Sequence, residues 1–423
     1  MLVRLAYGKT HQEVEIPDDR VKAILRGQDP EPAVDGLEMV RSCLKKPIGS
    51  ERLRDMVRKR RPRSVVVIVN DITRPTPYRE MLPPLLEEIE EGGADRGAIT
   101  LVVATGIHRG HTHEDNLYVF GREICDSYRI VNHDCDKHLV SLGYLANGWE
   151  LEVNREVAEA DLLIATGLVG LHYFAGYSGG RKSVLPGVAS RSLISRSHAM
   201  MTDPRACLGN YEDNPVHLVM TEAADRVGVD FILNVVATPD KRIELAVAGD
   251  MEKAWLEAVR FCEAARMVEL DEPAEIVIAG CGGYPKDINL YQAQKALDAA
   301  APAVKDGGTV ILVAECTEGL GEAVFEGWLD EASSPADVME RFSREFELGG
   351  HKAFAICRLL ERMRVILVSR MPAWKAEKAF LIPAGSLEEA WHLAIDGHRG
   401  DFKTIIIPEA ANLGIKIKRR EQA

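Results

Sequence analysis

Apolar residues gather in short, nearly unbroken runs along this chain, at 64–69, 99–103, 162–165, 231–236, 275–278, 309–313, 365–368 and 404–407. Runs of this length without polar alternation suit strands covered on both faces, and segments long enough for helices lie between several of them. The pattern predicts an α/β protein of two domains, with mostly parallel sheets flanked by helices. The opening differs: Val3, Leu5, Val14 and Ile16 alternate with polar residues around Gly8-Lys9-Thr10, which predicts an antiparallel hairpin at a sheet edge. Boundaries are expected at the acidic, proline-containing stretch Leu270-Asp271-Glu272-Pro273 and near Gly397-His398-Arg399-Gly400. The final run and its tail are too short to fold alone, so the chain is expected to return to its first domain. Residues 1–270 with 402–423 then form one domain and 271–401 the second, with the active site in the cleft between them.

Charge and cysteine content narrow the function. Among 423 residues, 52 Lys and Arg stand against 65 Asp and Glu, a net charge of −13 with no long basic run, which argues against binding nucleic acid. The longest apolar runs fall far short of the ~20 residues of a membrane span, and the N-terminus lacks the apolar core of a signal peptide. A soluble, cytoplasmic protein is expected. The 8 cysteines are scattered without a Cys-x-x-Cys pair, so reduced thiols are expected instead of a zinc site or a disulfide framework.

In open α/β sheets ligands gather at the carboxyl ends of strands, and four strand ends carry unusual residues. After 64–69 comes Asn70-Asp71-Ile72-Thr73-Arg74-Pro75-Thr76-Pro77, where two prolines stiffen a loop bearing Asp71, Thr73 and Arg74. An arginine held in this way suits an anion or a developing alkoxide, although a plain strand-to-helix turn is the simpler alternative. After 99–103 comes Gly106-Ile107-His108-Arg109-Gly110-His111-Thr112-His113-Glu114-Asp115. His-x-x-His-x-His is not a common zinc spacing, and Thr112 with Asp115 resembles a helix-capping box, so His111 and His113 read as ordinary loop or first-turn residues. His108, just past the strand and a glycine, is the histidine aimed at a cleft.

The third segment runs Gly167-Leu168-Val169-Gly170-Leu171-His172-Tyr173-Phe174-Ala175-Gly176-Tyr177-Ser178-Gly179-Gly180-Arg181-Lys182-Ser183. Its glycines could turn backbone N–H groups toward one anion, with Lys182 closing on it. The phosphate-loop spacing fails, because Arg181 stands where the second glycine is required. His198, sixteen residues past Lys182, could be a metal ligand or an ordinary histidine. The fourth segment, Gly280 to Lys295, offers Asp287 or Asn289 as a helix cap and places Tyr291, Gln292 and Lys295 on neighbouring helix faces. A hydroxyl, an amide and an ammonium at a helix start form a carboxylate receptor, or else a solvated helix.

Taken in order, Asp-x-Thr-Arg-Pro, Gly-x-His-Arg, His-Tyr-Phe-Ala-Gly-Tyr-Ser-Gly-Gly-Arg-Lys with a histidine sixteen residues on, and Asn-Leu-Tyr-Gln-x-x-Lys resemble the lactate racemase family along essentially the whole chain. The resemblance implies an isomerase that uses a nickel-pincer nucleotide, a pyridinium-3,5-bisthiocarboxylate mononucleotide holding Ni(II), joined covalently to Lys182 and ligated by His198. It implies that Asp71, Ile72, Thr73 and Arg74 contact this cofactor, that Gly179 and Gly180 lie in the loop holding its phosphate, and that Arg74 also approaches the reacting oxygen. His108 and His172 would be the two acid–bases, each serving one enantiomer while C2 hydride passes reversibly to the cofactor through a 2-keto acid. Tyr291, Gln292 and Lys295 would bind the substrate carboxylate. The partners implied are a 2-hydroxy acid, lactate or a related one, and the enzymes that build the cofactor. The segment Gly349 to Phe354 carries no tryptophan, and Phe354 reads either as pocket lining or as core. The alternative is a nucleotide-dependent dehydrogenase or kinase acting on a small carboxylate, motivated by the α/β pattern and the glycine-rich loop.

Overall fold

A computed structural model describes residues 1–28, 34–238, 240–398 and 400–418, so Arg399 of the expected second boundary lies outside the described residues. The chain divides into two compact units, one made of Asp29–Ala265 and the other of Met1–Gln28 with Arg266–Ala423.

In the unit 29–265, six strands stand in the order Ile243–Gly249, Phe231–Ala237, Leu162–Leu168, Val65–Asn70, Ile99–Ala104, Arg129–Asn132. All are parallel except Ile243–Gly249, which runs antiparallel along one edge. The apolar runs explain this arrangement: every residue from Val65 to Val69 is buried, because helices cover both faces. Val65, Val67 and Val69 pack with Met81, Leu82 and Leu85 of helix Tyr78–Glu91, in a core shared with Leu101, Val103, Ile164 and Leu233. From Val65–Asn70 the chain builds outward to Ile99–Ala104 and Arg129–Asn132, then crosses back to Leu162–Leu168 on the other side. The switch in direction therefore falls between Val65–Asn70 and Leu162–Leu168, and their carboxyl ends open a crevice there.

The other unit holds an all-parallel sheet in the order Ile382–Ala384, Arg364–Val368, Val304–Val313, Ala274–Gly280, Thr404–Ile407, Val21–Ile24. Thr404–Ile407 does not return to the first domain but pairs with Ala274–Gly280, and the opening segment contributes Val21–Ile24 beside it. Residues 1–28 and the C-terminal segment thus share a unit with 266–398. The opening hairpin, Leu2–Tyr7 with Thr10–Glu15, is likewise not at the edge of a larger sheet. It forms its own two-stranded sheet, whose alternating apolar residues Val3, Leu5, Tyr7 and Val14 pack with Ile276, Ile278 and Ile311. All eight cysteines are free, and among the described residues no helix is long and apolar enough to cross a membrane.

Candidate active site

Asp71 follows the strand ending at Asn70, and His108 follows the adjacent strand ending at Ala104, two residues that face each other in register. The two loops meet through a buried carboxylate. Asp71 Oδ2 lies 2.7 Å from His108 Nδ1, and Oδ1 accepts from Thr73 Oγ1 at 2.6 Å. Burial alone would raise the Asp71 pKa, but these hydrogen bonds and the positive charges nearby bring it below the ordinary carboxylate value. An ionised carboxylate only accepts, so His108 Nδ1 carries a proton, and the neutral form of the ring has its lone pair on Nε2. Both Asp71 oxygens are committed within the protein, which leaves the exposed Thr73 and Arg74 as the projecting groups of this loop.

His172 lies on the short ribbon Leu171–His172 and Gly176–Tyr177. Its Nδ1 accepts from the Ala175 N–H at 3.2 Å, so the neutral ring carries its proton on Nε2. Phe174 joins the other candidates: its ring is 4.6 Å from His172, 5.1 Å from His198 and 5.6 Å from Lys182 Nζ. His198, on helix Arg191–Ala199, donates from Nδ1 to the Ile194 carbonyl at 2.9 Å, which places the lone pair of the neutral ring on Nε2. Burial, then the charge of Lys182, lowers the His198 pKa to about 3. Burial and the positive charges of Lys182 and Arg74 push His172 well below its ordinary value. Lys182 is itself driven well down by burial, Arg74 and Arg181. Both imidazoles are therefore neutral at neutral pH, and burial beside Arg74 and Arg181 favours the uncharged form of Lys182.

Gly179 and Gly180 have φ of +76° and +52° and make the turn into the short helix Gly180–Ser183 that carries Lys182. A Cβ on Gly180 would stand 2.9 Å from the Trp255 ring. The Gly180 N–H is already donated to Asn234 Oδ1 at 2.8 Å, so it is not among the amides that could turn toward an anion. Arg181 is buried 4.2 Å above the Trp255 ring and donates to the Ala175 and Gly179 carbonyls, tying the loop together. Its burial was not legible in the sequence, where it stood out only as the residue that breaks the phosphate-loop spacing.

In the unit that contains residues 266–398, Asn289 and not Asp287 caps helix Leu290–Ala300, accepting from the Gln292 N–H at 3.0 Å. Asp287 is fully buried and accepts from the Gly8 and Glu315 N–H groups. Lys295 Nζ donates to Gln292 Oε1 at 2.8 Å, and the Tyr291 ring lies 5.4 Å from Lys352 Nζ. Phe354 is core, stacked 4.3 Å from Phe342. On the other unit, Thr112 and Asp115 complete the capping box, and His111 is buried. Among the described residues the His108, His111 and His113 run forms no metal-sized cluster.

Models of the lactate racemase N-terminal and C-terminal domains match residues 7–209 and 270–415. The lactate racemase of Thermoanaerobacterium thermosaccharolyticum is 36% identical over 427 residues, covering 98% of this chain and 99% of that one. The chain belongs to the lactate racemase family. It is an isomerase of the racemase class, which leaves the dehydrogenase or kinase alternative without support. The lactate racemase of Lactiplantibacillus plantarum is 38% identical over 308 residues, 72% of each chain. The solved lactate racemase apoprotein of T. thermosaccharolyticum superposes with a TM-score of 0.92 at 35% identity, covering 98% of this chain and 100% of that one.

Proposed function

We propose that this lactate racemase family member inverts C2 of a 2-hydroxy acid, lactate or a close relative, with a nickel-pincer nucleotide held by Lys182 and His198. The observation that carries the reading is the cluster around Phe174, where the Lys182 amine and the His172 and His198 rings converge and burial disfavours charge on Lys182 and His198. Acyl attachment needs an unprotonated amine, and nickel bound by soft sulfur accepts a neutral imidazole, so the donor set fits the group. When bound, the group supplies a reversible hydride acceptor for C2.

The chain's own residues do the rest. His108, oriented by ionised Asp71, offers its Nε2 lone pair to the hydroxyl proton of one enantiomer, and His172 serves the other. For His172 to accept a proton, its Nδ1 must give up the Ala175 N–H or the ring must exchange tautomer. Arg74 stabilises the developing alkoxide, and the 2-keto acid turns between the two half-reactions. Tyr291, Gln292 and Lys295 hold the substrate carboxylate. From the 71–74 loop, Ile72, Thr73 and Arg74 are the cofactor contacts, and Asp71, whose oxygens are taken by Thr73 and His108, acts through His108. A cytoplasmic setting with cofactor-building enzymes at hand belongs to the same reading, and free cysteines agree with it.

The test is chiral chromatography of a single lactate enantiomer incubated with the cofactor-loaded protein. His108→Ala and His172→Ala are each expected to lose inversion by about a hundredfold or more while cofactor stays bound. Full inversion by either variant overturns the two-base assignment. If the wild type leaves lactate untouched but inverts a longer 2-hydroxy acid, the chemistry stands and the substrate changes.

A further inference from the structure

We infer that His111 is a positioning residue that, in its neutral Nδ1-protonated form, holds the 71–74 loop in register with the His108 loop. What that loop does rests on the racemase reading; how it is held does not. His111 is only 7% exposed and is fixed at every polar atom. Its N–H donates to Asn132 Oδ1 at 3.0 Å, and its carbonyl accepts from Asn132 Nδ2 at 2.9 Å, so one side chain at the end of Arg129–Asn132 clamps its backbone. Its ring lies 5.9 Å from Phe120, and Nδ1 lies 3.0 Å from Asn116 Oδ1.

The remaining contact gives His111 its role. Nε2 lies 2.7 Å from the Ile72 backbone nitrogen. A backbone N–H can only donate, so Nε2 must carry a lone pair and the ring proton must sit on Nδ1, toward Asn116 Oδ1. Ile72 is the residue between Asp71, which orients His108, and Thr73 and Arg74, which project. A strut on its N–H fixes all three against the neighbouring strand's loop. Without it, the Ile72 N–H loses its partner, and Asp71 is free to drift from the position that aims His108.

The experiment compares His111→Leu, which removes the acceptor, with His111→Gln, whose amide oxygen can replace Nε2. Both are made in the full chain, assayed loaded with cofactor, and studied cofactor-free by ¹⁵N NMR of the imidazole rings. His111→Leu is expected to lower kcat about tenfold with KM for the 2-hydroxy acid near wild type, and His111→Gln to restore most of it. The wild-type spectrum should show His111 as the neutral Nδ1–H tautomer, and the hydrogen-bonded His108 Nδ1–H signal should weaken in His111→Leu. Wild-type kcat in His111→Leu, a His111→Gln variant as impaired as His111→Leu, or a wild-type His111 protonated on Nε2 at neutral pH overturns the inference. If His111→Leu does not fold, His111→Gln and the wild-type spectrum decide. If the wild type racemises nothing, the racemase reading falls and the ring spectra alone decide the role of His111.

Discussion

At the scale of single residues, the Asp71–His108 contact carries a prediction that packing alone would not make. Asp71→Asn keeps the size but can turn an amide donor toward His108 Nδ1, which would then prefer to carry the lone pair there and the proton on Nε2. Inversion should fall about a hundredfold in kcat/KM from either enantiomer, since each direction uses both histidines, with little change in thermal stability, measured by initial rates beside calorimetry. Asp71 and His108 were each legible as residues just past a strand. Their pairing was not, because it joins positions 37 apart and depends on which strands become neighbours. His217 is stacked 5.2 Å from Trp255, and burial and the charge of Arg181 lower its pKa to about 3. Below its unfolded pKa of ~6.5, the unfolded chain binds a proton that the folded chain refuses. Its contribution to stability is therefore complete above that value and shrinks as pH falls toward 3. Urea titrations between pH 7 and 4 should show a shallower pH slope for His217→Gln than for wild type.

At the scale of elements, the apolar runs were legible because strands covered on both faces leave an unbroken signal, and eight runs became eight parallel strands. The short pieces Val21–Ile24 and Arg129–Asn132 escaped because at sheet edges they keep polar residues, among them Lys22, Arg129 and Asn132. The glycine-rich segment was legible as a tight loop but not in its reason. Gly180 is required by its positive φ and by Trp255, while Asn234 takes the N–H that a phosphate loop would offer. Gly180→Ala should therefore cost about 1–3 kcal/mol, read as a lower urea midpoint with unchanged slope. It should also displace Lys182, two residues on, so that cofactor attachment falls with stability.

At the scale of the molecule, the misplaced termini follow from the non-local character of parallel pairing. A four-residue strand such as Thr404–Ile407 must join a sheet made elsewhere, and nothing in its own sequence says which. The hairpin Leu2–Tyr7 and Thr10–Glu15 announced an apolar face, but its covering partner, with Ile276 and Ile278, lies more than 250 residues away. One charge pattern also belongs to this scale: Arg74 follows one strand and Arg181 and Lys182 follow another of the same unit, and burial together with the two guanidinium charges lowers the Lys182 pKa. That amine is where the cofactor would attach. The most direct test is the intact mass of the protein produced in cells that carry nickel and the cofactor-building enzymes, with any added mass mapped by peptide sequencing. The expected result is a nickel-containing adduct on Lys182 that is absent from Lys182→Ala. An unmodified Lys182 in protein from cells that do load a known lactate racemase would contradict it.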